Sequence, residues 1–356
     1  MSSMPPGNDD RLAVKVVRKR PRRTILKRVV VLGVTAVGLY VVWPNLAKVF
    51  SAGPMLATVS PLWGLPLVLA EAASFACMWA LLRLALDVKP WFPVATAQLA
   101  GNAFSRIVPG GAAAGGAMQF DMLNSAGIAP ARAATSVTAV SLISTATLLG
   151  LPAISIAVIL ITGASVERNL FRVGSIAVVV CLVAMAGGAG LLFADRPLLW
   201  LGGVIERARN RVLRRRPPLE DLPERLKDER DLIRRVLGAG WWKALLFSAG
   251  NWLLDLTALL IALAAVGAQP RASVVLLAYV VAAFLGMIPI TPGGLGFVEA
   301  GLIGTLGLAG IGADQAVLAT LVYRLVSYWL PMPTGAVAYL LHERRYGRRP
   351  RGAAGA

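Results

Sequence analysis

The chain has 356 residues, 57% of them hydrophobic, yet 36 lysines and arginines against 18 acids leave it at +18. A soluble domain does not combine these properties; long apolar runs must alternate with basic stretches. One histidine, His342, and two cysteines, Cys77 and Cys181, each within or at the end of an apolar run, imply neither a zinc site nor a disulfide framework, and no cofactor is expected.

Residues 1–28 form a basic segment carrying Arg11, Lys15, Arg18, Lys19, Arg20, Arg22, Arg23, Lys27 and Arg28. It lacks the short n-region and small-residue cleavage site of a secretory signal, so an uncleaved anchor is expected. Beside a spanning helix such a block sets orientation and meets lipid headgroups, and nucleic acid is disfavoured as a partner. Runs of about 20 mainly apolar residues, the length that crosses the hydrocarbon core, follow at Val29 to Ala47, Leu62 to Leu86, Thr135 to Ile161, Val173 to Phe193, Trp241 to Val266 and Ala316 to Leu341. The N-terminus, the loop 195–238 with Arg214, Arg215 and Arg216, and the tail 343–356 carry the basic excess. The positive-inside rule places all three in the cytoplasm of a multi-pass protein of the cell membrane.

Two further apolar stretches, Trp91 to Gly127 and Ala272 to Gly310, are interrupted by Pro109-Gly110-Gly111 and Pro292-Gly293-Gly294. Proline removes a backbone donor and glycine admits non-helical dihedrals, so both stretches read as re-entrant helical hairpins packed between spans. Adding 183 to a position in the first half reaches its counterpart in the second: Pro109 meets Pro292, Gly127 meets Gly310 and Ala133 meets Ala316. An odd number of crossings separates the copies. The expected fold is therefore all-α and polytopic, with about six full transmembrane helices and two re-entrant hairpins in an inverted repeat, copy one about 61–162 and copy two about 241–341, within a transmembrane domain 29–342.

Charges inside membrane segments mark function because each costs about 2.5 kcal/mol or more at a helix centre. The candidates for substrate binding are Arg106, Pro109, Gly110, Gly111, Pro292, Gly293, Gly294, Glu299 and Arg324, with Glu71 and Asp255 lining a path. Two readings stand for Arg324: a bidentate grip on a phosphate, or an ion pair with Glu299 that fixes the second hairpin. No catalytic constellation is visible, and the glycine strings lack the Lys-Ser/Thr ending of a nucleotide loop. Membrane phospholipids, anionic headgroups above all, are the expected partners, with the loop 195–238 available to a cytoplasmic protein. The functional expectation is a translocator of a lipid or lipid-linked substrate; the alternative is a non-transporting scaffold or regulatory subunit that docks through that loop.

The string from Ile288 through Thr291-Pro292-Gly293-Gly294-Leu295-Gly296-Phe297-Val298-Glu299-Ala300, with Gly310-Ile311 and Tyr323-Arg324, resembles the lysylphosphatidylglycerol synthase/flippase transmembrane domain family. Asn102 to Gly111 resembles the same family. The resemblance implies a membrane module that flips lipid, and, without the aminoacyltransferase domain of the bifunctional members, one that stands alone and does not itself transfer lysine. Many relatives carry Gly-Glu and a nearby Arg after the first motif; here the sequence reads Gly115-Gly116-Ala117-Met118-Gln119, so a headgroup role for that acid is not implied.

Overall fold

The computed structural model describes residues 59–108, 111–163, 168–212, 221–286 and 294–347. The described residues form helices α1 (Gly64–Leu86), α2 (Trp91–Ile107), α3 (Gly111–Ser125), α4 (Pro130–Thr162), α5 (Arg168–Phe193), α6 (Asp195–Val212), α7 (Leu222–Leu237) and α8 (Trp241–Ala265). They continue with α9 (Ala272–Gly286), α10 (Phe297–Leu308), α11 (Ala313–Arg324), a π-helical turn Leu325–Trp329 and α12 (Pro331–Tyr346). No strand occurs among them.

Four of these elements, Pro61–Leu86, Pro130–Thr162, Gly174–Phe193 and Trp241–Ala265, are long and apolar enough to cross a bilayer. Their outer faces are greasy: Leu62 and Ile161 are each 84% exposed, and only 6% of the Gly174–Phe193 window is buried by the rest of the chain. Water does not tolerate an apolar surface of that extent, whereas lipid does. The molecule is a multi-pass helical membrane protein.

One expected span is not a single helix. The run Ala316 to Leu341 divides into α11, the π turn and α12. Pro331 and Pro333 lack the N–H groups that would continue the ladder, and the i→i−5 bond from Leu330 N to Leu325 O absorbs the mismatch. The first expected run, Val29 to Ala47, lies outside the described residues.

Each expected hairpin stretch contains two helices. In the first, α2 and α3 run antiparallel at backbone contact: a Cβ on Gly115 would stand 2.4 Å from Gly101 O, and one on Gly101 2.8 Å from Gly115 O. Small residues permit that approach, and Gln119 Nε2 donates to Gln98 Oε1 further along the same seam. The turn after α3 recurs after α10 bond for bond. Gly127 N to Asn124 O, Ile128 N to Leu123 O and Ala133 N to Ala129 O reappear 183 residues later as Gly310 N to Gly307 O, Ile311 N to Leu306 O and Ala316 N to Gly312 O. Gly127 at φ 90 and Gly310 at φ 84 hold the left-handed positions that end both helices.

The offset is not uniform, however. The ends of α1 and α8 match at 180, with Asp87 N to Leu84 O and Val88 N to Arg83 O answering Gly267 N to Ala264 O and Ala268 N to Leu263 O. At that offset the counterpart of Glu71 is Asn251, one turn before Asp255 on the same face of α8, which corrects the single register of 183.

Helices α1 and α8 lie antiparallel along the molecule. Leu67 and Ala70 of α1 join the core formed with α8, α9, α10 and α11, whereas Leu81, Leu82 and Leu86 join the core formed with α2, α3 and α4. Ser74 Oγ donates to Asn251 O at 3.0 Å while Asn251 Nδ2 donates to Ser74 Oγ at 2.7 Å and Ser74 O at 3.1 Å. This two-way clasp fixes the pair at mid-length. At one end, His342 of α12 is buried; Nδ1 meets Thr96 Oγ1 at 2.7 Å, and Nε2 lies 2.9 Å from Met122 O. A carbonyl only accepts, so Nε2 carries a proton in that bond, and the histidine ties α12 to α2 and α3.

The loop expected to be cytoplasmic contains α6 and α7, joined by Arg230. It donates to Asp195 at 2.6 Å, and Lys227 lies 3.2 Å from the same carboxylate. The Arg230 guanidinium and the Lys227 ammonium hold the Asp195 carboxyl below its ordinary value.

Candidate functional site

A cavity of about 280 Å³ opens where α1, α2, α4, α8, α11 and the π turn converge. Helical spacing explains its lining. Glu71, Ser74, Phe75 and Met78 follow i, i+3, i+4, i+7 on α1, and Gln98, Asn102 and Arg106 follow i, i+4, i+8 on α2. Asn251, Trp252 and Asp255 come from α8, Ser144 from α4, and Tyr323, Arg324 and Ser327 from α11 and the π turn.

The cationic wall rests on the proline break. In α register Pro331 leaves Ser327 O without a donor; in π register Pro333 does the same to Tyr328 O. Arg106 Nη1 lies 2.6 Å from both carbonyls. The first hairpin thus supplies the hydrogen bond that the second half of the chain lacks. Tyr328 is 2% exposed and has two guanidiniums over its ring, Arg324 at 4.2 Å and Arg106 at 4.9 Å from the centroid. Its hydroxyl donates back to Arg106 O at 3.1 Å.

Arg324 also forms the ion pair that was one of its two sequence readings: Nε to Glu299 Oε1 at 2.6 Å. Glu299 Oε2 accepts from Gly296 N at 2.6 Å, so this acid caps α10 and anchors Arg324 together. The pair does not exhaust Arg324, whose Nη2 is buried without a partner.

The acidic wall is built differently. Asp255 Oδ2 accepts from the Tyr323 hydroxyl at 2.7 Å and from the Tyr279 hydroxyl, and the Trp252 indole donates to Ser144 O at 3.1 Å. Glu71 is 6% exposed, and its Oε2 has no partner. Of the seven buried side-chain atoms without a hydrogen bond among the described residues, four belong to this lining: Glu71 Oε2, Asn102 Oδ1, Arg324 Nη2 and Ser327 Oγ. Native proteins leave few such atoms, and their concentration marks a place built to meet something polar.

The structure brings four expected residues, Glu71, Asp255, Arg106 and Arg324, to one cavity. Glu299 stands one bond behind it. Gly111 sits against Ser105 O and Gly294, at φ 70, precedes α10; neither lines the cavity. Pro109, Gly110, Pro292 and Gly293 lie outside the described residues. Sequence reading missed Gln98, Asn102, Asn251, Ser327 and Tyr328. The spacing of Gln98, Asn102 and Arg106 by four along one face of a mainly apolar helix was the available signal, whereas nothing local to Tyr328 announced it.

Residues 29–335 match the lysylphosphatidylglycerol synthase TM region. The chain belongs to that family. Among curated proteins it is similar to two UPF0104 membrane proteins of Methanothermobacter thermautotrophicus, at 36% identity over 112 residues (32% of this chain, 31% of the relative) and 32% over 87 residues (24% and 26%). The chain spans less than a third of the length of these relatives. Family membership accounts for the shared membrane region, and within that region Arg106, Arg324, Glu71 and Asp255 line one cavity.

Proposed function

We propose that the protein translocates a phospholipid or lipid-linked substrate across the cell membrane, with the headgroup passing through the cavity between α1, α2, α8 and α11. The observation that carries this reading is the set of four partnerless buried polar atoms in a cavity holding both guanidiniums and carboxylates. Charged groups cost about 2.5–3.5 kcal/mol each at mid-membrane, and a cavity that leaves them hydrogen bonds to spare is suited to a polar headgroup. Arg324 Nη2 and Ser327 Oγ donate to a phosphate, while Glu71 Oε2 and Asn102 Oδ1 accept from headgroup hydroxyl or amino groups. In this reading the chain crosses six times with both termini and α6–α7 in the cytoplasm, and the two hairpins enter from opposite sides as an inverted repeat. The recurring turns at Gly127 and Gly310 support a duplication.

The test is mutational. Arg324→Ala and Glu71→Gln, expressed and folded normally, are expected to slow lipid exchange in proteoliposomes at least tenfold, while Arg214→Ala with Arg215→Ala in the cytoplasmic loop leaves it unchanged. The reverse pattern, sensitivity confined to the loop, assigns the protein to docking and removes the transport reading.

A further inference from the structure

We propose that a second site, at the end of the α1/α8 pair nearest α7, retains one anionic phospholipid by its phosphodiester and does not take part in translocation. The antiparallel arrangement brings the last turn of α1 and the first turn of α8 together around an open hollow of about 340 Å³, lined by Arg83, Asp87, Trp91, Lys243 and Phe247 among others. It shares no lining residue with the central cavity.

Both cations are held in place by neutral groups. Arg83 Nε donates to Val88 O at 3.1 Å and its guanidinium lies 4.4 Å from the Trp91 ring centroid; Lys243 Nζ lies 5.4 Å from the Trp242 ring. Neither forms an ion pair among the described residues. Two cations and the Asp87 carboxylate leave the hollow at +1, the complement of a single phosphodiester. Trp91 and Trp242 are 46% and 52% exposed, the placement of tryptophans at headgroup depth. Leu245 and Leu246, exposed on the next turn of α8, continue the surface toward the acyl chains. Helices α2 and α8 both begin here without a side-chain cap or an acid in the first turn, and their two positive ends outweigh the single negative end of α1. A lipid satisfies the charge, the aromatic rim and the leucines together, whereas free phosphate meets only the first.

Native mass spectrometry of the full chain in detergent, titrated with phosphatidylglycerol, phosphatidylcholine or inorganic phosphate, tests the site. The wild type is expected to retain a first phosphatidylglycerol more tightly than phosphatidylcholine. Lys243→Gln is expected to weaken that retention about fivefold, and Asp87→Asn to strengthen it. Because Lys243 is exposed, its substitution does not threaten the fold, and the Asp87 variant reads in the opposite direction. Equal retention by wild type and Lys243→Gln overturns the site, and equal retention of the two lipids overturns its charge selectivity. Displacement of phosphatidylglycerol by equimolar inorganic phosphate overturns the lipid as its occupant. Binding is measured without transport, so loss of the translocation reading leaves these results intact.

Discussion

Replacing Arg106 with glutamine removes the donor that serves Ser327 O and Tyr328 O. Hydrogen bonds to a charged donor contribute about 1.5–3 kcal/mol, and a buried carbonyl left unsatisfied costs about 1–3 kcal/mol. With at least one of the two carbonyls orphaned by Pro331 or Pro333 in either helical register, and the contact to the Tyr328 ring also lost, the expected destabilisation is about 3 kcal/mol. If that cost arises from the missing proline N–H, restoring one by Pro331→Ala must reduce it. Alanine at this position donates to Ser327 O in α register, so Arg106→Gln in the Pro331→Ala background is expected to cost about 1–1.5 kcal/mol less than in the wild type. Equilibrium unfolding of the four proteins of the cycle in mixed micelles measures the coupling. Costs that add to within about 0.5 kcal/mol, the behaviour of independent sites, would refute the claim that arginine substitutes for the ladder bond.

Three further outcomes follow from the packing and charges. Gly115→Val places its Cβ within 2.4 Å of Gly101 O and must part α2 from α3, at an expected cost of about 1–3 kcal/mol in thermal unfolding; Gly150→Ala, where a Cβ meets nothing within 4 Å, is expected to be neutral or stabilising. Because Arg230 and Lys227 hold the Asp195 carboxyl below its ordinary value, their contribution to the α6–α7 unit is complete above the usual carboxylate range, near 4, and disappears as pH falls through the lowered folded value. Hydrogen exchange of residues 195–230, corrected for intrinsic rate, is expected to show protection falling only at acid pH, and to show no such drop in Asp195→Asn. Tyr323→Phe removes one of the two hydroxyl donors to Asp255 and is expected to cost about 1–2 kcal/mol by unfolding while leaving the helical circular dichroism intact.

Much of the architecture is visible in hydropathy because the bilayer imposes length: runs such as Leu62 to Leu86 and Trp241 to Val266 became single helices nearly at their expected bounds. The division of the run Ala316 to Leu341 is where that signal fails, since mean hydropathy ignores the N–H groups missing at Pro331 and Pro333. Buried charge pointed to Glu71, Asp255, Arg106 and Arg324 individually. Which of them share a cavity depends on helix rotation and packing, which hydropathy does not report. Tyr328 was illegible for another reason: its importance lies in two arginines, one of them 222 residues away in the chain, that converge on its ring.

The most direct test of translocation is dithionite quenching of fluorescent phospholipid in liposomes reconstituted with the full chain. Quenching is expected to proceed past the outer-leaflet fraction in wild-type proteoliposomes for at least one anionic phospholipid, to stop at that fraction in protein-free liposomes, and to pass it at least tenfold more slowly with Arg324→Ala. Quenching that halts at the outer leaflet for every phospholipid tried, with wild-type protein folded and inserted, would overturn translocation.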